Sequence, residues 1–354
     1  MKQLKTGKLA LVYAGCFLGA GYVSGQEIWQ YFGSFGVSGL LGLAAAMALL
    51  FMFGVMILRT AQITGKTAAD EIAVSWDLPA VKTVMSAMEI VMMFAVVAVM
   101  SAGVGALAEQ MLGVPAWCGS LVFCAVTMVC ALMGLQAVVS AFSVSVPLLV
   151  GATVILCAWS LAKNGVTLPA ARTSDNALLG TWLPSAVNFA CYNVFLTIAL
   201  IAPFGPYVKR RRTAAAGIGL GTAMLAVIAL CVMLCLFSLP EAAEAELPTL
   251  YAASQLTPAG AWVYAVLLLL AMFGTALSSL VAVGHYLSEK VTVCKRRGRL
   301  VTVIISAAAF GGSLFGFGDL IGTLYPIFGY GSVAFLILLA ASYFRLRKKQ
   351  SASI

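Results

Sequence analysis

The chain has 354 residues, of which 62% are hydrophobic and 9% are charged, and its mean hydropathy is +1.03. This composition lies far outside the range of soluble globular domains and is typical of proteins whose solvent is a lipid bilayer. We therefore predict an all-α polytopic membrane protein, and we expect no nucleic-acid partner despite the net charge of +9.

Ten apolar segments follow one another along the chain, each close to the roughly 20 residues that a helix needs to cross a bilayer. We number them one to ten as predicted spans. Their expected extents are Leu9–Phe32, Val37–Leu58, Val84–Leu112, Pro115–Met133, Gln136–Leu161, Leu179–Ile201, Thr213–Leu239, Pro258–Leu287, Leu300–Phe315 and Leu320–Phe344.

The basic residues predict the orientation, because Lys and Arg accumulate on the cytoplasmic side of a membrane. With the N-terminus inside, only Lys163 and Arg172 lie outside, which leaves 19 of the 21 Lys and Arg residues in the cytoplasm. Topology and anionic lipid thus explain the positive charge. No small-residue cleavage site follows the basic start, so the first segment is expected to be retained. We predict an inner (plasma) membrane protein with both termini cytoplasmic.

Five segments, a polar connection and five more segments suggest two halves. An odd number of spans in each half requires that the halves be inverted relative to each other, as in inverted-repeat transporters. The predicted division is 1–162 for the first repeat, 163–178 for an extracytoplasmic connection, 179–344 for the second repeat and 345–354 for a cytoplasmic tail.

Polar and flexible residues interrupt the first segment of each half at comparable depth. The residues concerned are Gly19, Gly21, Gly25 and Glu27 in the first segment, and Pro184, Asn188, Tyr192 and Asn193 in the sixth. Glycine costs about 1 kcal/mol relative to Ala inside a helix, and a buried amide without a partner costs more. We predict that both helices are broken there, with the alternative that the glycines only permit close helix packing.

The run Gly19-Ala20-Gly21 through Ser24-Gly25-Gln26-Glu27 resembles the first-helix signature of the YkvI-like amino-acid permease family. That family is distantly similar to the amino acid-polyamine-organocation superfamily with its LeuT-type fold. The resemblance implies a five-plus-five inverted repeat with broken helices 1 and 6, and ion-coupled symport of an amino acid or similar solute. It leaves the substrate open.

Glu27 is the foremost candidate for chemistry, because ionisable side chains inside membrane spans are usually functional. It could attract a substrate ammonium or carry the coupling proton, and the alternative is a cap at the start of a half-helix. Amide side chains such as those of Asn188 and Asn193 can both donate to and accept from a zwitterion. The predicted substrate-binding residues are Gly21, Tyr22, Ser24, Gly25, Gln26, Glu27, Asn188, Tyr192 and Asn193.

Hydroxyl groups recur on one face of the eighth segment. In LeuT-type sodium symporters such hydroxyls bind sodium together with first-helix carbonyls, so the resemblance implies an ion-coupling set of Gly19, Val23, Glu27, Thr275, Ser278 and Ser279. The alternative is that these hydroxyls bond back to their own helix. A bound Na⁺ is thus possible, no other cofactor is expected, and the choice between Na⁺ and H⁺ stays open.

The remaining reactive residues form no recognisable catalytic or metal-binding motif, so we predict no enzyme activity. The nine Cys are interpreted as small apolar core residues, with Cys294 in a cytoplasmic loop. The roles of Glu89 and His285 stay open. A small-molecule substrate and membrane lipid are the expected partners, the oligomeric state is open, and a channel or a non-transporting membrane sensor is the alternative function.

Overall fold

The computed structural model describes residues 5–133, 137–174, 176–208, 210–290 and 298–352, without the side chains of 20, 137–146, 285–286, 288–290 and 349–352. Cys294 and the side chain of His285 therefore lie outside the described residues. Within the described ranges, all regular secondary structure is helical.

The described residues form fourteen α-helices. They are α1 Thr6–Phe17, α2 Ala20–Val23, α3 Gln26–Tyr31, α4 Ser38–Thr64, α5 Ala69–Ala73, α6 Pro79–Leu112, α7 Ala116–Leu132, α8 Ala137–Asn164, α9 Trp182–Ile201, α10 Arg211–Ser238, α11 Pro248–Leu256, α12 Pro258–Lys290, α13 Gly298–Ser313 and α14 Phe317–Ala352. Three 3-10 helices accompany them at Gly33–Phe35, Ala202–Tyr207 and Pro240–Glu244.

Seven of the described helices are long and apolar enough to cross a membrane. They are α4, α6, α8, α9 with the 3-10 helix after it, α10, α12 and α14. Helices α7 and α13 are shorter apolar helices, and the first predicted span is divided among α1, α2 and α3. A membrane protein is therefore supported directly, while the count of ten spans stays a prediction.

The order and lengths of the helices repeat in the two halves of the chain. Helices α4, α5, α6, α7 and α8 have 27, 5, 34, 17 and 28 residues, and their counterparts α10, α11, α12, α13 and α14 have 28, 9, 33, 16 and 36. The last helix of each half also contains an internal proline, Pro147 in α8 and Pro326 in α14. This matching order is what an internal repeat predicts.

The first segment is interrupted twice, on either side of the single turn α2. Helix α1 ends at Phe17, and α3 begins at Gln26 after Gly25, whose φ of +84° lies in the left-handed region. That conformation costs glycine little because it has no Cβ. Gly25 therefore allows the backbone to leave one helix and start another inside the bundle.

The sixth segment differs from the expectation, because α9 is a regular helix from Trp182 to Ile201. The predicted break between Pro184 and Asn193 is absent for two reasons. Pro184 lies in the first turn, where proline removes no intrahelical hydrogen bond, and the Asn side chains find partners on other elements. Regular α-helical geometry instead ends at the proline-containing 3-10 helix Ala202–Tyr207.

The helices pack so that α3 and α9 meet in the interior. Helix α9 packs against α4 and α14, α1 packs against α10, and α12 packs against α6. Helix α3 contacts α9, α10 and α14. The second interruption of the first segment is thus enclosed by helices of the second half of the chain.

The two halves are connected by residues 165–181, which we call the linker. The linker is hydrogen-bonded to both halves. Its hydrogen bonds are Val37 N to Pro169 O (3.0 Å), Arg172 N to Phe35 O (3.2 Å), Arg172 Nε to Ser34 O (2.9 Å), Thr167 Oγ1 to Phe237 O (3.0 Å), Asn176 Nδ2 to Gly322 O (2.9 Å) and Tyr330 Oη to Leu178 O (2.6 Å). We use "linker end" for the end of the bundle where these bonds lie.

Candidate functional site

Glu27 lies inside the bundle on the first turn of α3, with 5% of its surface exposed. Its carboxylate accepts hydrogen bonds from the Tyr192 hydroxyl and, at 3.5 Å, from the Asn193 amide, both on α9. Among the described residues, no Lys or Arg lies within ion-pair distance of it. A buried carboxylate with only neutral donors is costly in its ionised form. The surroundings of Glu27 therefore favour binding of a proton or another cation.

The carboxylate of Glu27 folds back towards α2 and makes no described hydrogen bond to the N–H groups of α3. A Cβ at position 21 would lie 2.7 Å from Glu27 Oε2 and 3.2 Å from Ile321 Cδ1. Only a residue without a side chain leaves room for the carboxylate there. The capping role that the sequence left open for Glu27 is therefore not seen, and Gly21 contributes by its lack of a Cβ.

Aromatic rings from three helices cluster at Tyr192, whose hydroxyl donates to the Glu27 carboxylate. The Tyr192 ring lies 4.9 Å from the Tyr325 ring, 5.6 Å from the Tyr31 ring and 5.7 Å from the Phe189 ring, measured between centroids. All four side chains are buried. We call these four rings the aromatic enclosure.

The two asparagines of α9 have different surroundings. Asn193 donates to Phe189 O at 3.1 Å as well as to Glu27. Asn188 accepts from the Tyr31 hydroxyl at 3.3 Å and donates to Pro326 O at 2.9 Å. Asn193 therefore belongs to the Glu27 site, whereas Asn188 ties α9 to α3 and α14 and positions the aromatic enclosure.

The other predicted residues of the first segment stabilise the interruption itself. The Tyr22 hydroxyl donates to Leu225 O on α10 at 2.7 Å, and Ser24 Oγ donates to Gly21 O at 3.2 Å. Gly19 O accepts from Val23 N at 3.3 Å. Ser24 thus satisfies a carbonyl of the broken segment, and Tyr22 ties α2 to α10.

Two hydroxyl groups donate hydrogen bonds to the Val23 carbonyl, which the sequence predicted to be a sodium ligand. Thr249 Oγ1 donates to Val23 O at 2.8 Å, and the Tyr264 hydroxyl donates to the same oxygen at 2.7 Å. Tyr264 lies 14 positions before Ser278 on α12, which is about 21 Å along a helix at 1.5 Å per residue. Val23 therefore cannot share an ion with Ser278, and the predicted pairing of these two residues does not occur.

Two hydroxyls of the predicted ion-coupling set bond back to α12. Thr275 Oγ1 donates to Ala271 O at 3.0 Å, and Ser278 Oγ donates to Gly274 O at 2.6 Å, with Ser278 exposed. Ser279, one turn after Thr275, is half-buried. This is the alternative that the sequence left open, although a hydroxyl that donates to backbone keeps its oxygen lone pairs available to a cation.

A second polar cluster lies at the start of α14. Gln26 is 9% exposed, and its Oε1 has no hydrogen-bond partner among the described residues. A Cβ at position 318 would lie 2.7 Å from Gln26 Nε2 and 3.2 Å from Glu246 Oε2, so the two side chains meet against Gly318. Gln30 Nε2 donates to Gly318 O at 2.9 Å. Gln26 thus faces α14 rather than Glu27.

Glu246, in the loop before α11, completes this cluster. Its Oε2 accepts from Gly318 N at 2.6 Å. Partial burial raises the pKa of Glu246, and the hydrogen bond from the Gly318 N–H opposes that rise, while the nearby Asp319 and Glu109 carboxylates add to it. The carboxylate therefore takes up a proton more readily than an exposed glutamate.

Sequence reasoning missed Tyr31, Tyr325, Thr249 and Tyr264. Tyr31 lies four residues after Glu27 on the same helix face, a spacing that could have indicated a shared site. Tyr325 precedes Pro326, and a proline inside an apolar segment is a signal for irregular backbone. No comparable signal marks Thr249 or Tyr264. Glu89 is half-buried on α6, and nothing in its surroundings assigns it a role.

No family model matches the chain, but two curated proteins are similar over nearly its whole length. The uncharacterized membrane protein YkvI of Bacillus subtilis (strain 168) is 25% identical over 343 residues, covering 95% of this chain and 96% of that protein. The uncharacterized protein YyaD of the same strain is 26% identical over 351 residues, covering 94% and 95%. The resemblance to the YkvI-like proteins is confirmed.

Solved structures show which fold the chain adopts. MhsT in complex with L-phenylalanine has a TM-score of 0.64 at 16% identity, covering 96% of this chain and 89% of that one. Mhp1 in an inward-facing conformation has a TM-score of 0.63 at 13% identity, covering 98% and 78%. A manganese transporter of Eremococcus coleocola has a TM-score of 0.56 at 13% identity, covering 94% and 78%. The chain therefore has a LeuT-like fold, similar to that of Mhp1 and MhsT.

Proposed function

We propose that this chain is a secondary active transporter that carries an amino acid or a related small zwitterion or amine by alternating access, in symport with Na⁺ or H⁺. One observation carries the proposal. Glu27 is buried beside a helix interruption in the core of a LeuT-like fold, without a basic partner among the described residues. Ionisable groups at such positions in membrane bundles mark substrate and ion pathways.

The interruption gives this carboxylate its significance. Non-helical backbone at membrane depth is tolerated only where it is buried in protein or lines a cavity, and transporters place their sites there. Mhp1 is described as a transporter of the nucleobase-cation-symport-1 family, and MhsT was solved with L-phenylalanine bound. These neighbours support a carrier, and the L-phenylalanine complex is compatible with an amino-acid-like solute.

In the proposal, Glu27, Tyr192 and Asn193 form the centre of the substrate site. Tyr22, Ser24 and Gly25 hold the interruption open beside it, and Gln26 lies at the approach from the linker end. For the coupling ion, Glu27 is the proposed proton site. The hydroxyl oxygens of Thr275 and Ser279, with the Gly19 carbonyl, are the proposed ligands if Na⁺ is used.

The decisive experiment is uptake of a labelled panel of amino acids and amines into proteoliposomes that contain the purified protein. Three conditions are compared: an inward sodium gradient, an inward proton gradient and no gradient. Accumulation that requires one gradient would establish symport and identify the ion. Flux that only equilibrates solute would indicate a channel, and binding without flux would indicate a sensor; either result would contradict the proposal.

A further inference from the structure

Glu27 has no counter-charge among the described residues. Its hydrogen-bond donors are a phenol and an amide, both neutral, and no described Lys or Arg reaches it. Leaving a buried charge without a partner costs several kcal/mol, whereas a cation bound beside it recovers much of that cost. A positively charged ligand group is therefore the natural complement of this carboxylate.

The aromatic enclosure has the matching chemistry. Tyr31, Phe189, Tyr192 and Tyr325 lie with neighbouring centroids 4.9 to 5.7 Å apart, and the Tyr192 hydroxyl joins this group of neutral rings to Glu27. Aromatic faces attract cations, most strongly where water is excluded, and such rings recognise amines and quaternary ammonium groups. The enclosure thus suits an organic cation with an apolar body.

A ligand carboxylate, by contrast, would meet like charge. Glu27 Oε2 lies against Gly21, so the protein's own carboxylate already occupies the space beside the interruption. Like charges at close range in a low dielectric repel strongly. No described Lys or Arg forms an ion pair with Glu27 that would offset that repulsion.

We propose that the site selects an organic cation, a primary to quaternary amine without a carboxylate next to its nitrogen, and that Glu27 binds the positively charged nitrogen beside the aromatic enclosure. This inference rests on the proposed transport function and narrows its substrate class. Tyr192 and Asn193 hold the carboxylate in place, and the ring of Tyr325 contributes its π face.

The test compares amines with the amino acids that differ from them by one carboxylate. The probes are phenethylamine against L-phenylalanine, isopentylamine against L-leucine, and tetramethylammonium. Binding is measured by thermal stabilisation of the purified protein, and movement is measured by exchange of labelled amine in proteoliposomes. We expect at least one amine to bind and exchange, and its paired amino acid to bind at least about tenfold more weakly.

Variants locate the binding group. Glu27→Gln should weaken amine binding at least about 30-fold, because it removes one partner of a buried charge pair. Glu241→Gln, the same change at an exposed position on the 3-10 helix Pro240–Glu244, should leave binding unchanged. Tyr325→Phe should retain affinity, whereas Tyr325→Leu should lose about 2- to 30-fold.

The outcomes separate this inference from the transport proposal. Gradient-driven uptake of amino acids without binding of any amine would overturn the inference and leave transport standing. Amine binding without flux would contradict the transport proposal and leave the inference standing. If Glu27→Gln abolishes accumulation but preserves exchange at full affinity, the carboxylate couples the proton and does not bind the amine, and the inference is wrong.

Discussion

A carboxylate inside a helical bundle has a defined position only if its neighbours fix both of its oxygens. Glu27 has such neighbours on two sides. Donors on α9 fix one oxygen, and the absence of a side chain at Gly21 provides space for the other. The site therefore depends as much on a missing Cβ as on any polar group.

Substituting Gly21 tests this dependence. In Gly21→Ala, the new Cβ would lie 2.7 Å from Glu27 Oε2, so the carboxylate must move. Overpacking costs about 1 to 3 kcal/mol, which corresponds to a loss of about 5- to 150-fold in substrate affinity if the strain falls on the site. Initial uptake rates at subsaturating substrate measure the loss.

The matched control is Gly15→Ala in α1, where an added Cβ would meet nothing within 4 Å. This change should leave uptake intact and stabilise the helix slightly, because alanine favours helix by about 1 kcal/mol over glycine. Equal uptake by both variants would show that the close approach of Glu27 to position 21 does not matter for function.

Individual site residues could be predicted from the sequence where a polar side chain stands in an otherwise apolar segment. Glu27, Tyr192 and Asn193 were chosen as polar groups in apolar segments, and the structure brings these three together. Val23 and Ser278 were paired through a resemblance and lie apart. A sequence shows which residues lie on the same face of one helix. It does not show the level at which two tilted helices cross.

At the scale of elements, prolines and their partners explain irregular backbone. Pro326 lies inside α14 and has no N–H to donate to Gly322 O, four residues earlier. Asn176 Nδ2 from the linker donates to that carbonyl at 2.9 Å instead. A side chain far away in sequence thus replaces the missing backbone donor.

A double-mutant cycle tests this replacement. Asn176→Ala should destabilise the protein by about 1 to 3 kcal/mol, because the Gly322 carbonyl loses its donor. Pro326→Ala restores a backbone N–H, so the double variant should lose less stability than Asn176→Ala alone. Thermal unfolding of the detergent-purified protein gives the four values. Strictly additive effects would mean that Asn176 and Pro326 are not coupled through Gly322.

The helices themselves were largely predictable, since long apolar runs leave few alternatives in a membrane. The predicted break in the sixth segment was wrong, because polar residues in a helix can be satisfied by neighbouring helices as well as by unwinding. Asn188 illustrates this, with Tyr31 and Pro326 as partners. Partners that lie more than 100 residues away cannot be identified from local pattern alone.

For the whole molecule, the distribution of the basic residues predicts the orientation in the membrane. Single cysteines at exposed positions in a cysteine-free background test it, with Thr67→Cys between α4 and α5 and Val166→Cys in the linker. In intact cells, a membrane-impermeant maleimide should label position 166 and reach position 67 only after permeabilisation. The reverse pattern would invert the topology, and labelling of both positions in intact cells would rule out the predicted placement of these loops.

The fastening of the linker also bears on how the protein is made. Asn176 and its partner Gly322 are 146 residues apart, and Leu178 and Tyr330 are 152 apart. At about 5 to 20 residues per second, a ribosome needs roughly 7 to 30 s to cover the distance from Asn176 to Gly322. During that time the first half is in the membrane without these two bonds. The linker can form them only after α14 has been synthesised, so they are among the last contacts to form during synthesis.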